Sequence, residues 1–187
     1  MLAELKRIFH WGPLIALFII NCITLTTLYI TSMWLPATDS ILAIFNHLIF
    51  VMLVGLTMYN FFCAACLGPG ELKKYSRLSL NSYLVSSGHV PLNWQPKVSH
   101  RSKLQFCTIC KGYKAPRAHH CRKCGRCVLK MDHHCPWINN CCGHRNHAYF
   151  TMFLASAVIG SIHSLILLSI GIYRGWHGYY YYQLTGK

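Results

Sequence analysis

Apolar residues in this chain are concentrated in three long stretches instead of recurring with a helical or strand period. The stretches run over Pro13–Trp34, Ile41–Leu67 and Tyr149–Tyr173, and none of them contains Asp, Glu, Lys or Arg. At about 1.5 Å per residue, each one is long enough to cross the roughly 30 Å hydrocarbon core of a bilayer as a helix. The alternative is three buried helices of a soluble protein, which is disfavoured because soluble helices of this length usually have a polar face. The pattern therefore predicts three transmembrane helices.

Turn-forming residues delimit these helices. Pro36 follows the first stretch, and Gly68-Pro69-Gly70 follows the second. Because proline and glycine interrupt helices, the first two helices are predicted to end there. Residues 71–89 are basic and Ser-rich, and we interpret them as an insertion within a linker, with a short interfacial amphipathic helix as the alternative. The predicted organisation is two spans in 1–70, a cytosolic linker in 71–104, a cysteine-rich domain in 105–148, and a third span with a short lumenal tail in 149–187.

The positive charge of the chain lies on one side of the predicted membrane. Lys and Arg number 18 against four acidic residues, which gives a formal net charge of +14. Fourteen of the 18 basic residues lie between Gly68 and His147, whereas the turn at 35–40 has none. Because cytosolic loops carry an excess of Lys and Arg, we expect the N-terminus and the cysteine-rich domain to face the cytosol. The turn at 35–40 and the tail beyond Arg174 would then face the lumen.

Eight cysteines lie within the 36 residues from Cys107 to Cys142. Cytosolic thiols stay reduced, so this density indicates metal binding or catalysis and not disulfides. Two Cys-x₂-Cys turns, which begin at Cys107 and Cys121, are typical of zinc sites, although spacing leaves open which ligand binds which ion. A basic zinc module also suggests nucleic acid. That partner is not predicted, because the segment lies between membrane spans and lacks the roughly twelve-residue spacer of a groove-reading finger.

Two sites of three cysteines and one histidine would use six of the eight cysteines, and the remainder includes Cys135 and Cys142 together with Asp132 and His133. A thiol with a pKa near 8.5 is mostly protonated at neutral pH, so a nucleophilic cysteine needs a base nearby. His133 can take the proton from Cys135, and Asp132 can orient the imidazole, as in a catalytic triad. On spacing alone, Cys135 as a spare or third-site metal ligand remains an alternative.

The complete spacing resembles the signature of the DHHC-type protein S-acyltransferases, the palmitoyltransferases, and matches it without a gap. The matching positions are Cys107-x₂-Cys110-x₉-His120-Cys121-x₂-Cys124-x₂-Cys127-x₄-Asp132-His133-His134-Cys135-x₅-Cys141-x₄-Asn146-x₃-Phe150. The resemblance implies a first structural zinc site formed by Cys107, Cys110, His120 and Cys127. It implies a second zinc site formed by Cys121, Cys124, His134 and Cys141. It further implies that Cys135 is the nucleophile, that His133 is its base and that Asp132 orients His133.

The same resemblance implies an α-helical multi-pass membrane enzyme of the endoplasmic reticulum or Golgi with a small, loop-rich zinc domain. Such an enzyme moves a long-chain acyl group from an acyl-CoA, typically palmitoyl-CoA, through Cys135 to cysteines of membrane-associated proteins. Oligomerisation, with itself or with a homologue, is a further expectation. Basic residues around the motif and one tryptophan are candidates for contacts with the CoA: Arg117, Arg122, Lys123, Arg126, Lys130 and Trp137. Each basic residue taken singly is also consistent with a solvated surface.

Three spans are predicted here, whereas the resemblance implies four, with a Thr-Thr-x-Glu motif after the fourth. We therefore expect the chain to be a fragment or an alternative product of a palmitoyltransferase. The alternative function is a weakly active or inactive membrane scaffold, stabilised by zinc, that binds partners or dimerises.

Overall fold

A computed structural model describes residues 7–70, 105–115 and 117–185, with side chains described as far as residue 178. The predicted linker at 71–104, including its insertion at 71–89, lies outside the described residues. Three helices carry most of the structure: α1 (Trp11–Trp34), α2 (Ile41–Cys66) and α3 (His147–Thr185). Between α2 and α3 lie six short strands: β1 (Phe106–Cys107), β2 (Gly112–Tyr113), β3 (His119–Cys121), β4 (Arg126–Val128), β5 (His134–Cys135) and β6 (Asn140–Cys141).

All three helices are long and apolar enough to cross a membrane. Most of their large apolar side chains point outward, such as Phe18, Leu42 and Leu165, which are 68%, 78% and 65% exposed. Such a surface is compatible with lipid and not with water. The helix α3 packs along both α1 and α2, which touch each other little. The predicted fold class, a multi-pass α-helical membrane protein with a zinc-binding domain, is therefore confirmed.

Polar caps define where the first two helices begin, while the third has no early stop. The Nδ1 atom of His10 accepts a hydrogen bond from the Gly12 N–H at the start of α1, at 3.5 Å. Ser40 Oγ accepts one from the Ala43 N–H at the start of α2, at 3.1 Å. Helix α3 continues beyond the predicted end of the span at Tyr173, because no proline interrupts it. The predicted short tail is therefore helical as far as Thr185.

The cysteine-rich domain consists of three antiparallel two-stranded hairpins, β1–β2, β3–β4 and β5–β6. Such short strands have too little apolar surface to fold by themselves. The domain instead attaches to the segment that follows α2, since the Leu129 N–H donates to Gly70 O at 3.0 Å and the Arg145 N–H donates to Pro69 O at 3.2 Å. These bonds fix the hairpins against the end of α2.

Candidate active site and metal centres

The first metal centre joins hairpins β1–β2 and β3–β4. Its members are the four residues that the resemblance implied for one zinc, and their donor atoms all lie within 4.8 Å of one another: Cys107, Cys110, His120 and Cys127. The Nδ1 atom of His120 is 3.6, 3.3 and 3.9 Å from the Sγ atoms of Cys107, Cys110 and Cys127. Around a tetrahedral zinc with bonds of about 2.3 Å to sulfur and 2.0–2.1 Å to nitrogen, sulfur and nitrogen are separated by roughly 3.6 Å.

The second centre joins hairpins β3–β4 and β5–β6 in the same manner. It brings together within 4.8 Å the donor atoms of Cys121, Cys124, His134 and Cys141. The distances from His134 Nδ1 to the sulfurs of Cys121, Cys124 and Cys141 are 3.6, 3.4 and 3.6 Å. Both centres therefore fit a zinc ion with four protein ligands, which is the pattern of a structural site and not of a catalytic one.

Backbone hydrogen bonds position two of the sulfurs in each centre. The Cys110 N–H donates to Cys107 Sγ, and the Cys124 N–H donates to Cys121 Sγ, each at 3.4 Å. The first of these bonds lowers the pKa of Cys107. Gly125, which follows the second turn, has a φ of +65°, a conformation in which glycine is unstrained. Each Cys-x₂-Cys turn thus presents two sulfurs to one point.

Close contact between the sulfurs makes the pKa values of the thiols within a centre differ. In the second centre, Cys124 Sγ and Cys141 Sγ are 3.4 Å apart. A hydrogen bond from Cys141 lowers the pKa of Cys124 to about 5, and the same contact together with burial raises the pKa of Cys141. In the first centre, burial raises the pKa of Cys127 to about 12. Cys124 is thus the more acidic of the two thiols, and a bound cation would draw off the remaining thiol protons.

Cys135 lies outside both centres. It is on β5, opposite Asn140 of β6, and its side chain is only 4% exposed. Its neighbours in the same buried cluster come from α2, from α3, from the loop after β5 and from the position after β6: Phe61, Ala64, Ala65, Phe153, Ile138 and Cys142. The sulfur predicted to be the nucleophile is therefore surrounded by hydrocarbon where the domain meets the membrane helices.

The predicted base, His133, contacts a different thiol. Its Nδ1 atom is 3.2 Å from Oδ2 of Asp132, the residue that the resemblance implies as its orienting partner. Its Nε2 atom is 3.8 Å from the Sγ of Cys142, and no hydrogen bond joins it to Cys135 within the described residues. The backbone explains this contact, because Cys142 bonds to both residues of the pair: its N–H donates to His133 O at 2.8 Å and its carbonyl accepts from the Asp132 N–H at 3.0 Å.

Cys142 belongs to neither of the two metal clusters found among the described residues. It is fully buried, and burial raises the pKa of its thiol to about 12, with Cys135 and Asp132 contributing in the same direction. Cys142 is thus a neutral thiol at physiological pH, and it is the thiol that His133 contacts. Spacing alone left Cys142 without a role, since only the strand register shows that it faces His133.

Two buried asparagines connect the hairpins to the C-terminal end of α2. Asn140 Nδ2 donates to the carbonyls of Ala65 and Leu67, both at 3.0 Å. Asn146 Nδ2 donates to the carbonyl of Ala64 at 3.0 Å, and its Oδ1 accepts from the Gly143 N–H at 2.9 Å. The last carbonyls of a helix have no partner within the helix, so these side chains cap α2 and position Cys135 against it. Asn146 belonged to the quoted signature without a role, and Asn140 was missed.

The structure brings two of the candidate residues for CoA together in one cavity. Lys123 and Arg126 line a cavity together with residues that precede α1. Trp137 makes an edge-to-face contact with Trp11, with ring centroids 6.0 Å apart. The remaining candidates, which do not line that cavity, are Arg117, Arg122 and Lys130. The residues missed by the sequence analysis here are Arg7, His10 and Trp11, because only the fold brings them to the zinc domain.

The comparisons with known proteins agree with this geometry. A family model described as DHHC palmitoyltransferase matches residues 100–185. Palmitoyltransferase ZDHHC6 of Danio rerio is 44% identical over 173 residues, which cover 92% of this chain and 38% of that protein. The Homo sapiens protein of the same name is 42% identical over the same shares. Palmitoyltransferase PFA3 of Candida glabrata is 38% identical over 133 residues, or 67% of this chain and 40% of that one. The chain thus spans about two fifths of the length of these relatives, and it belongs to the DHHC palmitoyltransferase family.

Proposed function

We propose that this protein is a protein S-palmitoyltransferase that carries a long-chain acyl group on Cys135. The acyl group comes from an acyl-CoA and goes to a cysteine of a membrane-associated protein. The observation that carries the proposal is the environment of Cys135, whose sulfur takes no part in either metal cluster and lies among apolar side chains. This position among apolar side chains does not fit a spare zinc ligand.

The surroundings of Cys135 lead into the membrane helices. Ile20 of α1 and Ala157 of α3 pack against the cluster that contains Cys135. The same two residues line a narrow groove between the three helices, together with small or polar side chains such as Thr24, Thr57 and Gly160. An acyl chain on Cys135 could follow this route and remain in an apolar environment, which stabilises it by about 0.8 kcal/mol for each buried CH₂ group.

The proposed reaction has two steps of thioester exchange. His133 takes the proton of the Cys135 thiol, and the resulting thiolate attacks the carbonyl carbon of the acyl-CoA. CoA leaves as a thiol after it receives that proton, and Cys135 holds the acyl group as a thioester. A cysteine of the substrate protein then gives its proton to His133 and attacks the thioester, which restores the Cys135 thiol. Asp132, 3.2 Å from His133 Nδ1, favours the tautomer with the proton on Nδ1 and stabilises the charged ring.

His133 has to reach Cys135 for this reaction, although in the structure it contacts Cys142. Residues two apart in an extended segment lie on the same face, so His133 and Cys135 share the side on which Cys142 lies. The proposed reaction therefore requires the imidazole to turn from Cys142 towards Cys135. A zinc ion in each centre would have only a structural role in this proposal: its four ligands would hold the hairpins together and so fix the segment from Asp132 to Cys135.

Two finer assignments belong to the same proposal. The cysteine-rich domain would lie on the cytosolic side of the endoplasmic reticulum or Golgi membrane, because an excess of Lys and Arg favours that side. The phosphates of CoA would bind to cations on the domain. The candidates without another assigned site are Arg117 and Arg122, which are exposed, and Lys130, which is half-buried. Substrate proteins would present their cysteines at the membrane surface beside Trp137, which is 46% exposed.

Acyl-enzyme formation tests the proposal directly. The purified protein in detergent is incubated with radiolabelled palmitoyl-CoA, and the bound label is then treated with neutral hydroxylamine, which cleaves thioesters. We expect a hydroxylamine-sensitive label on the wild type and on Cys22→Ser, whose cysteine is exposed on α1, but none on Cys135→Ser. Equal labelling of the wild type and Cys135→Ser would reject the proposal and leave the zinc-stabilised scaffold as the better description.

A further inference from the structure

A cationic cavity of about 520 Å³ lies where the segment before α1 meets the second metal centre. Its basic side chains come from two distant parts of the sequence, the N-terminal segment and hairpin β3–β4: Arg7, His10, Lys123 and Arg126. None of the residues that line it is acidic. The volume lies within the range of about 300–1,000 Å³ found for ligand sites. The cavity therefore has the size and the charge of an anion-binding site.

The residues around the cavity are held in place by contacts with the rest of the protein. The Nη1 atom of Arg7 is buried and has no hydrogen-bond partner in the part of the chain that the structure describes. The carbonyl of Arg7 is held by Asn139 Nδ2 at 3.2 Å, so the backbone of this residue is fixed to the domain. Trp11, the first residue of α1, also lines the cavity, and the positive end of a helix dipole favours an anion there.

The cavity is separate from the thiol site. His134 and Pro136 line the cavity, whereas Cys135 between them belongs to the apolar cluster on the other side of the strand. Alternate residues of a strand face opposite sides, so strand β5 forms a wall between the two. An anion in the cavity would consequently touch the backbone segment that carries Cys135 without contacting its sulfur.

We propose that this cavity binds the phosphorylated headgroup of an anionic membrane lipid. Trp11 lines the cavity and contacts Trp137, and the two side chains are 54% and 46% exposed. Tryptophan is enriched at the membrane–water interface. The cavity therefore opens at the level of the headgroups, at the membrane end of α1. Basic pockets at that level bind phosphorylated headgroups, and several cations around one cavity favour a phosphate monoester over a singly charged lipid.

Native mass spectrometry of the detergent-solubilised full chain tests this proposal, with the Cys135→Ser protein used throughout to exclude acylation. The probes are phosphatidylinositol 4-phosphate, phosphatidylserine and phosphatidylcholine. We expect the first to bind at least tenfold more tightly than phosphatidylcholine. Arg7→Gln and Lys123→Gln should each weaken that binding about fivefold, as for the loss of one cation near a headgroup. Arg122→Gln is the matched control, because Arg122 neighbours Lys123 on the same hairpin but does not line the cavity.

Three results would overturn the proposal. Equal binding of the three lipids would show that the cavity does not select a phosphate. An equal effect of Arg122→Gln would show that the preference arises from general surface charge. Displacement of the phosphoinositide by CoA, but not by soluble inositol 1,4-bisphosphate, would assign the cavity to the acyl donor. Zinc content is measured on every sample. If Lys123→Gln loses zinc, the lipid affinity of Arg7→Gln alone is used to judge the proposal, because Arg7 is outside both metal centres.

Discussion

Asn146→Asp replaces one side-chain nitrogen by oxygen at the junction of α2 and the cysteine-rich domain, with almost no change in volume. The Nδ2 atom of Asn146 donates to the carbonyls of Ala64 at 3.0 Å and Cys141 at 2.9 Å. Its Oδ1 accepts from the Gly143 N–H at 2.9 Å. Aspartate keeps the third contact and turns the first two into repulsions between oxygens. The substitution therefore removes the cap on α2 without creating a cavity.

The magnitude follows from the two carbonyls that lose their donor. Asn146 is fully buried, so water cannot replace the lost hydrogen bonds, and each unsatisfied group costs about 1–3 kcal/mol. A buried carboxylate adds a desolvation cost unless it takes up a proton. We expect the free energy of unfolding to fall by about 3–5 kcal/mol, or roughly 10 °C in apparent Tm for a chain of this size.

The deficit should also depend on pH. Burial raises the pKa of the introduced carboxyl group in the folded protein above its unfolded value of about 3.9. A group of this kind destabilises the fold increasingly as pH rises from the unfolded pKa to the folded pKa, because only the unfolded chain then loses its proton. The difference in apparent Tm between Asn146→Asp and the wild type should therefore be larger at pH 8 than at pH 6.

Tryptophan fluorescence in detergent follows thermal unfolding, and the zinc content is determined on the same samples. The matched control is Asn139→Asp, the same exchange at a half-buried position whose Nδ2 makes one hydrogen bond, to Arg7 O at 3.2 Å. Asn139 has a φ of +46°, which aspartate tolerates. Its loss should be about 1 kcal/mol or less. Equal shifts for the two variants, or a deficit at Asn146 that is the same at both pH values, would refute the capping argument.

Three more substitutions test other contacts. A Cβ atom at Gly12 would overlap the carbonyl oxygen of Pro136, so Gly12→Ala should lower stability by about 1–3 kcal/mol and reduce acyl labelling. Gly55→Ala, with open space around it, is the control, and equal behaviour of the two would disprove the contact. Cys107→Ala should release one equivalent of zinc, measured by mass spectrometry, and an unchanged stoichiometry would reject that ligand assignment. Cys142→Ala should retain acyl labelling within about threefold, because general-base catalysis does not need this thiol; a complete loss would make Cys142 the acyl carrier.

The spans and the metal clusters could be predicted because their signals are local. A stretch such as Ile41–Leu67 shows its membrane location by length and composition alone, and α2 ends at Cys66, close to the predicted boundary. The Cys-x₂-Cys turns likewise contain two ligands within four residues. The pairing of each turn with its histidine came from the family resemblance, since spacing permits several combinations.

The contacts around the thiol could not be predicted because they depend on distant parts of the chain. Asn146 caps a carbonyl 82 residues earlier in the sequence, and polar residues in a loop give no sign of such a partner. Cys142 faces His133 only because of the hairpin register that the metal ligands on either side impose. The length of α3 was underestimated because the tail after Tyr173 has aromatic and glycine residues, whereas the ladder of backbone hydrogen bonds continues through them.

The asparagine caps have a consequence for how the protein is made. Helix α2 is synthesised and enters the bilayer before the hairpins exist, so its terminal carbonyls depend at first on water and lipid headgroups. The caps form only when Asn140 on β6 and Asn146 just before α3 are in place, in a domain that would itself require metal to fold. In a zinc-starved cell the chain would therefore be inserted in the membrane, but its cysteine-rich domain would be unfolded and the end of α2 would lack its caps. Proteolytic quality control can recognise such a state.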